Sequence, residues 1–257
     1  MKFFLTISIT FFMSMSMSMS ASARDAAPAG QGVLDLIPFA LNDGKDMSDF
    51  MALRESFAST IEKTGATYYA SVLTPLFVDR SATGIAPSFD AIWLGASRSP
   101  SDFAKAHQQY LKIGGETEKA FAEVRTNLQR MMMATEIIYR GVESSDQSNV
   151  VMLSTCSPAG DADMPDIAAE LRSASEGMAE KGSKGSTFLW HSGIGIPNGL
   201  EGKYIHARRF PDLAAWGSSM SLYRAGKFSD EMQAQKKVLS CGAPRVYLSD
   251  AFHWPAD

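Results

Sequence analysis

The spacing of apolar positions along this chain changes several times, and each change marks an element. A near-continuous apolar run at 33–41 (VLDLIPFAL) reads as a first strand. Phe50, Leu53, Phe57 and Ile61 then recur at helical spacing, and Gly65 closes that helix. Two runs rich in aromatic and β-branched residues follow at 67–78 and 89–97, and both read as strands. A helix is predicted from 101 to about 112, broken at Gly114-Gly115 and resumed from Glu116, with a fourth strand at 130–139. The second half repeats the order. A strand at 150–156 leads to a helix carrying Ile167, Leu171, Ala174 and Met178 on one face. Strands are predicted at 186–196 and 200–209, a helix from Asp212 interrupted at Gly226, and a last strand at 245–248.

The two halves also echo each other in sequence. Asp46-Met47-Ser48-Asp49 matches Asp163-Met164-Pro165-Asp166, 117 residues later, and Gly65 and Gly182 close the two helices at the same offset. An Asp ahead of each helix suits it to cap free N–H groups. Matching motif, order and spacing point to an internal duplication. The polar stretch 144–149 (SSDQSN) reads as the linker, giving repeats at 33–143 and 150–257. Each half has the order βαββαβ, the ferredoxin-like split-βαβ pattern. One such unit covers only one face of its sheet with helices. The expected fold is therefore α+β, with two tandem ferredoxin-like repeats packed sheet to sheet as a pseudo-dimeric α+β barrel.

In this element order the chain resembles the dimeric α+β-barrel superfamily, whose members include antibiotic-biosynthesis-monooxygenase-like, NIPSNAP-like and chlorite-dismutase-like proteins. The resemblance covers roughly residues 33–250 and implies a cavity between the two sheets that binds small molecules. It carries no single activity, because function lies in sites and not in folds. The implied haem ligand is missing: 212–239, the last helical region, holds no histidine. No cofactor is expected on these grounds.

Composition and charge narrow the setting. Lys2, an apolar stretch at 3–13, a Met/Ser alternation and Ala21-Ser22-Ala23 form the three parts of a cleavable signal peptide. Residues 1–23 are thus expected to be removed, with 24–32 a loose leader and the working protein periplasmic or secreted. Of the 24 basic and 28 acidic residues, that segment holds one basic and none of the acidic, so the remainder is mildly acidic. Neither nucleic acid nor a membrane surface is an expected partner.

Candidate chemistry centres on the second half. Asn198-Gly199 is a strong hairpin signal, and a turn centred there sets His191 directly opposite His206. Tyr204, Leu189 and Arg208 share that face by alternation, while Phe188, Trp190, Ile194 and Ile205 occupy the other. If the apolar face packs on the helices, the histidines look into the barrel. There they suit ligand binding, or proton abstraction with Arg208 or Tyr204 stabilising an oxyanion. The alternative is a hydrogen-bonded histidine pair without chemistry. Pro197, which lacks an N–H, argues against a tight turn. His107 reads as a partly exposed helix residue and His253 as a packing residue in the tail. The segment 79–88 is a hairpin loop or a lid. No nucleotide-loop, metalloprotease or nucleophile-elbow motif is present. Cys156 ends the first strand of the second half and Cys241, the only other cysteine, sits just before its fourth; the end of one strand lies beside the start of its antiparallel neighbour, which predicts a disulfide. The function expected is small-molecule binding between the repeats. The alternatives are a cofactor-independent oxygenase- or isomerase-like enzyme, or a structural protein with a filled barrel.

Overall fold

The computed structural model describes residues 32–78, 89–142 and 148–255. The first half runs β1 (Gly32–Leu41), α1 (Met47–Met51), α2 (Arg54–Thr64), β2 (Tyr69–Phe77), β3 (Ala91–Ser97), α3 (Pro100–Ile113), α4 (Gly115–Val124), β4 (Arg125–Asn127) and β5 (Met131–Tyr139). The second runs β6 (Ser148–Pro158), α5 (Met164–Glu180), β7 (Ser186–Ile194), β8 (Tyr204–Phe210), α6 (Leu213–Arg224), α7 (Ser229–Val238), β9 (Leu239–Cys241) and β10 (Arg245–His253). The predicted signal peptide, the leader up to residue 31 and the 79–88 segment lie outside the described residues.

Local chemistry explains the helix ends. Asp46 accepts from the backbone N–H of Ser48 and Asp49, and Asp49 returns the bond to the Asp46 N–H, a capping box. Asp163 caps α5 by accepting from the Asp166 N–H, without the return bond. Gly65 ends α2 with φ 66°, in the left-handed region that costs a glycine nothing. The first helix is not continuous, as its spacing suggests, but breaks between α1 and α2 at Ala52-Leu53. Its apolar face survives the break, for Phe50, Phe57 and Ile61 are all buried.

Eight long strands close into a barrel. The strand orders are β2-β3-β1-β5 in the first half and β7-β8-β6-β10 in the second. Pairing of β5 with β7 and of β10 with β2 joins them, all antiparallel. Short β4 and β9 pair onto β1 and β6. The helices lie outside. The strand β6 starts at Ser148, inside the stretch expected as linker, because Ser148 and Asn149 continue the ladder with β10. The Ser148 hydroxyl donates to Asp250 at 2.6 Å there. The last strand likewise runs on to His253, which is strand and not tail.

The barrel interior is a packed apolar core. Leu34, Leu36, Ile92 and Met133 from the first half meet Val151, Trp190, Ile205 and Tyr247 from the second. Side chains alternate along each strand, and the inward set is apolar in both halves. A second core of Phe39, Phe50, Phe57, Trp93, Phe121 and Phe252 lies between the outer face of the first-half strands and α1–α4. Cys156 and Cys241 stand opposite each other on β6 and β9 and are joined by a disulfide, Cα atoms 4.0 Å apart.

Candidate functional site

An open cavity lies in the first half, between the outer face of the sheet and the helices α2, α3 and α4. The sheet supplies Asp35 and Ile37 from β1, Trp93 from β3, and Tyr68 just before β2. One face of α3 supplies Phe103, Ala106, His107 and Tyr110, at spacings of three and four. Glu118 and Phe121 come from α4, Arg125 from β4, and Arg130 from just before β5.

The polar floor is prebuilt. Arg130 donates to both carboxylate oxygens of Asp35, from Nε at 2.9 Å and from Nη2 at 2.7 Å, a bidentate fork. The Tyr68 hydroxyl donates to Asp35 Oδ2 at 3.3 Å and accepts from Trp93 Nε1 at 3.0 Å. Burial, with Asp35 next to it, pushes the Tyr68 phenol well above its usual range. The hydrogen bond to Asp35 raises Arg130 in turn. Gly95 makes room for this chain: a Cβ there would stand 1.8 Å from the Tyr68 hydroxyl oxygen.

Deeper in, two donors have no acceptor. The Arg125 guanidinium sits in a cage of Phe39, Phe50, Trp93 and Phe121, 4.7–5.3 Å from their ring centres. Its Nε and Nη1 are buried without a hydrogen-bond partner, and so is the Tyr110 hydroxyl. Arg125 is 6% exposed and Tyr110 8%. Burial lowers Arg125 to about 10, against which the nearby Glu118 carboxylate acts. Burial first, then Glu118, raises Tyr110. Glu118 itself is exposed at the mouth. His107 lies half-buried on the cavity wall, stacked on Phe103 with ring planes 7° apart. Its pKa falls below the usual value, through burial and then through Arg130, so it is neutral at pH 7.

The histidines expected to form a site are elsewhere. In the β7–β8 ladder His191 pairs with Tyr204, and His206 pairs with Leu189. They are thus diagonal neighbours, two residues out of the expected register. The cause is the turn. Asn198–Leu200 form a short 3-10 turn in which the Leu200 N–H bonds to the Pro197 carbonyl at 2.8 Å. The positive φ values fall on Gly195 and Gly202, outside the Asn-Gly pair. The face assignment is also reversed. Leu189 and Tyr204 pack with Ile167 and Leu171 of α5, so the face with His191, His206 and Arg208 looks toward the helices. Phe188, Trp190 and Ile205 look into the barrel. His206 is pushed down to about 3 by burial and the adjacent Arg208. Arg208 is buried, lowered to about 10, and donates to the Ser183 hydroxyl at 3.0 Å. Arg208 is buried there, and His191 and His206 keep intermediate exposure. The signal that was missed is the α3 face: Phe103, His107 and Tyr110 at 103, 107, 110 mix aromatic and polar groups along one stripe. Among the described residues no group of three or more His, Cys, Asp or Glu side chains gathers as a metal site, and no helix is long and apolar enough to cross a membrane.

No protein-family model and no curated protein matches the sequence. Solved structures do match. A presumed monooxygenase from Lactobacillus acidophilus superposes with a TM-score of 0.52 at 8% identity, over 87% of this chain and 95% of that one. A presumed chlorite dismutase matches at 0.50 and 12%, over 86% and 94%. A presumed monooxygenase from Fusobacterium nucleatum matches at 0.52 and 11%, over 88% and 94%. These neighbours are dimeric α+β barrel folds, and this chain shares with them a mixed α+β architecture around a closed eight-stranded barrel. At such identities the likeness is one of fold alone.

Proposed function

We propose that this protein binds a small, partly aromatic molecule bearing a carbonyl or carboxylate oxygen, in the first-half cavity. One observation carries the reading: on the wall of this cavity Arg125 holds two buried N–H groups without a partner and Tyr110 a buried hydroxyl, among Phe57, Trp93, Phe103 and Phe121. A buried donor without an acceptor costs about 1–3 kcal/mol, so an acceptor is the natural occupant. The rings would cover the ligand's apolar body. Haem does not suit this space. Phe57 meets Trp93 and Phe121 edge to face, at 82° and 73°, which makes a rounded bowl and not a parallel-walled slot.

Two further readings accompany it. The halves are copies of one ferredoxin-like unit: both show the same strand order, and both use Asp caps ahead of matching helices. Their outer faces have diverged by exchange of bulk. Tyr68 and Gly95 in the first half stand where Gly185 and Arg208 stand in the second, by ladder position. Export is the second: residues 1–23 carry the signal-peptide pattern, and a Cys156–Cys241 bond suits an oxidising compartment.

The test uses Trp93, which lines the cavity, as a fluorescence reporter. Benzoate, phenylpyruvate and benzoylacetone are titrated into the purified protein and into Arg125→Met, which keeps the apolar stem without the donors. At least one probe should bind, and the variant should weaken it by about tenfold or more. Absence of binding to all three, or equal binding by the variant, overturns the proposal and leaves the donors to water.

A further inference from the structure

The same cavity holds a base as well as donors, and from that pairing we propose an activity: abstraction of a proton from the carbon next to a carbonyl, that is, enolisation. The inference rests on the binding reading above and goes beyond it. His107 and Tyr110 lie one turn apart on the cavity face of α3. Residues at that spacing have Cβ atoms about 5–6 Å apart. A carbonyl oxygen and its neighbouring α-carbon span less than this. Such a substrate can place its oxygen at the Tyr110 hydroxyl and the Arg125 N–H groups while its α-carbon faces the imidazole.

The step balances without a co-reactant. An unprotonated ring nitrogen of His107 takes the proton from the α-carbon. The C–H electron pair becomes the new C=C bond, and the carbonyl π pair moves onto oxygen. Negative charge then grows on the oxygen that Arg125 and Tyr110 meet with donors already desolvated and in place, which is where such donors stabilise a transition state most. The imidazolium returns its proton to the enolate oxygen, or to carbon on the reverse path. Stacking on Phe103 fixes the imidazole plane. Asp35, which holds Arg130 in the fork, offsets part of the effect of Arg130 on the imidazole. Glu118 at the mouth disfavours a ligand that arrives fully charged and leaves a neutral ketone the better substrate.

The experiment follows hydrogen–deuterium exchange of the α-protons of benzoylacetone and phenylpyruvate in D2O by NMR, with and without the purified protein. Binding is measured in parallel through Trp93 fluorescence. Wild type should exchange at least one probe about 10²-fold or more above the buffer rate, the usual contribution of a positioned base. His107→Gln should lose that acceleration, while Tyr110→Phe should lower it by about tenfold with exchange still dependent on His107. Binding without acceleration overturns the activity and leaves the binding reading standing. Acceleration that persists in His107→Gln overturns the assignment of the base. Absence of binding removes both.

Discussion

A buried arginine in an aromatic cage is an expensive residue to keep, because the guanidinium gives up water and meets no carboxylate at hydrogen-bonding distance. Four ring faces compensate part of that cost. Arg130 is held differently, by the fork to Asp35, and Asp35 is only 2% exposed. Asp35→Asn should therefore destabilise the fold by about 2–3 kcal/mol in urea unfolding, below the range for fully buried pairs because Arg130 is half-exposed. A loss under about 0.5 kcal/mol would show that the fork is ornamental. The Tyr68–Gly95 contact allows a sterner check. In Gly95→Ala the new methyl collides with the phenol, and Tyr68 must leave Asp35 or Trp93. The expected cost is about 1–3 kcal/mol, with changed Trp93 fluorescence. In the proposed site Glu118 would act on the ligand through its charge. Glu118→Gln should tighten carboxylate binding several-fold and leave a neutral ketone nearly unchanged; equal effects on both would remove the argument that Glu118 selects by charge.

At the scale of elements, the disulfide ties β6 to β9 and thereby closes 85 residues of sequence separation. Chain-entropy reasoning gives the bond roughly 4–5 kcal/mol. Cys156→Ala with Cys241→Ala should shift the urea midpoint accordingly, and a matching shift should appear in the wild type under reductant. Coincident curves with and without reductant would mean that β9 is held by its other contacts. The elements themselves were mostly legible. Period and caps place α5 and the capping residues Asp46 and Asp163, because a helix start is set by local chemistry. The turn between β7 and β8 was not legible. Asn198-Gly199 favours a two-residue hairpin, but Pro197 accepts from Leu200 and the chain makes a 3-10 turn with a longer connection. Alternation correctly sorted His191, Tyr204, His206 and Arg208 onto one face. It could not say which face looks inward, because in a barrel wrapped by helices both faces are covered and both carry apolar residues. His107 reads from the sequence as a partly exposed helix residue and is one, but its place on a cavity wall is not legible there, because apart from Phe103 the rings of that wall come from elements distant along the chain.

At the scale of the whole molecule, the closed barrel fills its lumen with apolar side chains, and the proposed site lies on the outer face of the sheet. Fourteen buried side chains fill the lumen core, and half of them come from each half of the chain, so neither half buries its inner face alone. The pH response follows from the same economy of space. All four histidines, His107, His191, His206 and His253, are pushed below the usual value chiefly by burial, His206 to about 3. An unfolded histidine titrates near 6.5. Above that pH neither state binds the proton, and stability is undiminished. Below it the unfolded chain takes up protons that the folded chain refuses, so stability falls as the pH drops, and for His206 it goes on falling until about 3. Each such proton contributes a slope of about 1.4 kcal/mol per pH unit. Urea unfolding should thus show a clear loss of stability between pH 7 and pH 5, before most carboxylates titrate. In His206→Gln the loss should be shallower by up to about 1.4 kcal/mol per pH unit, since one of the refused protons is gone. Stability that holds level or rises over that interval would mean that the histidines accept protons in the folded state, and that the wall around His107 is wetter than its packing implies.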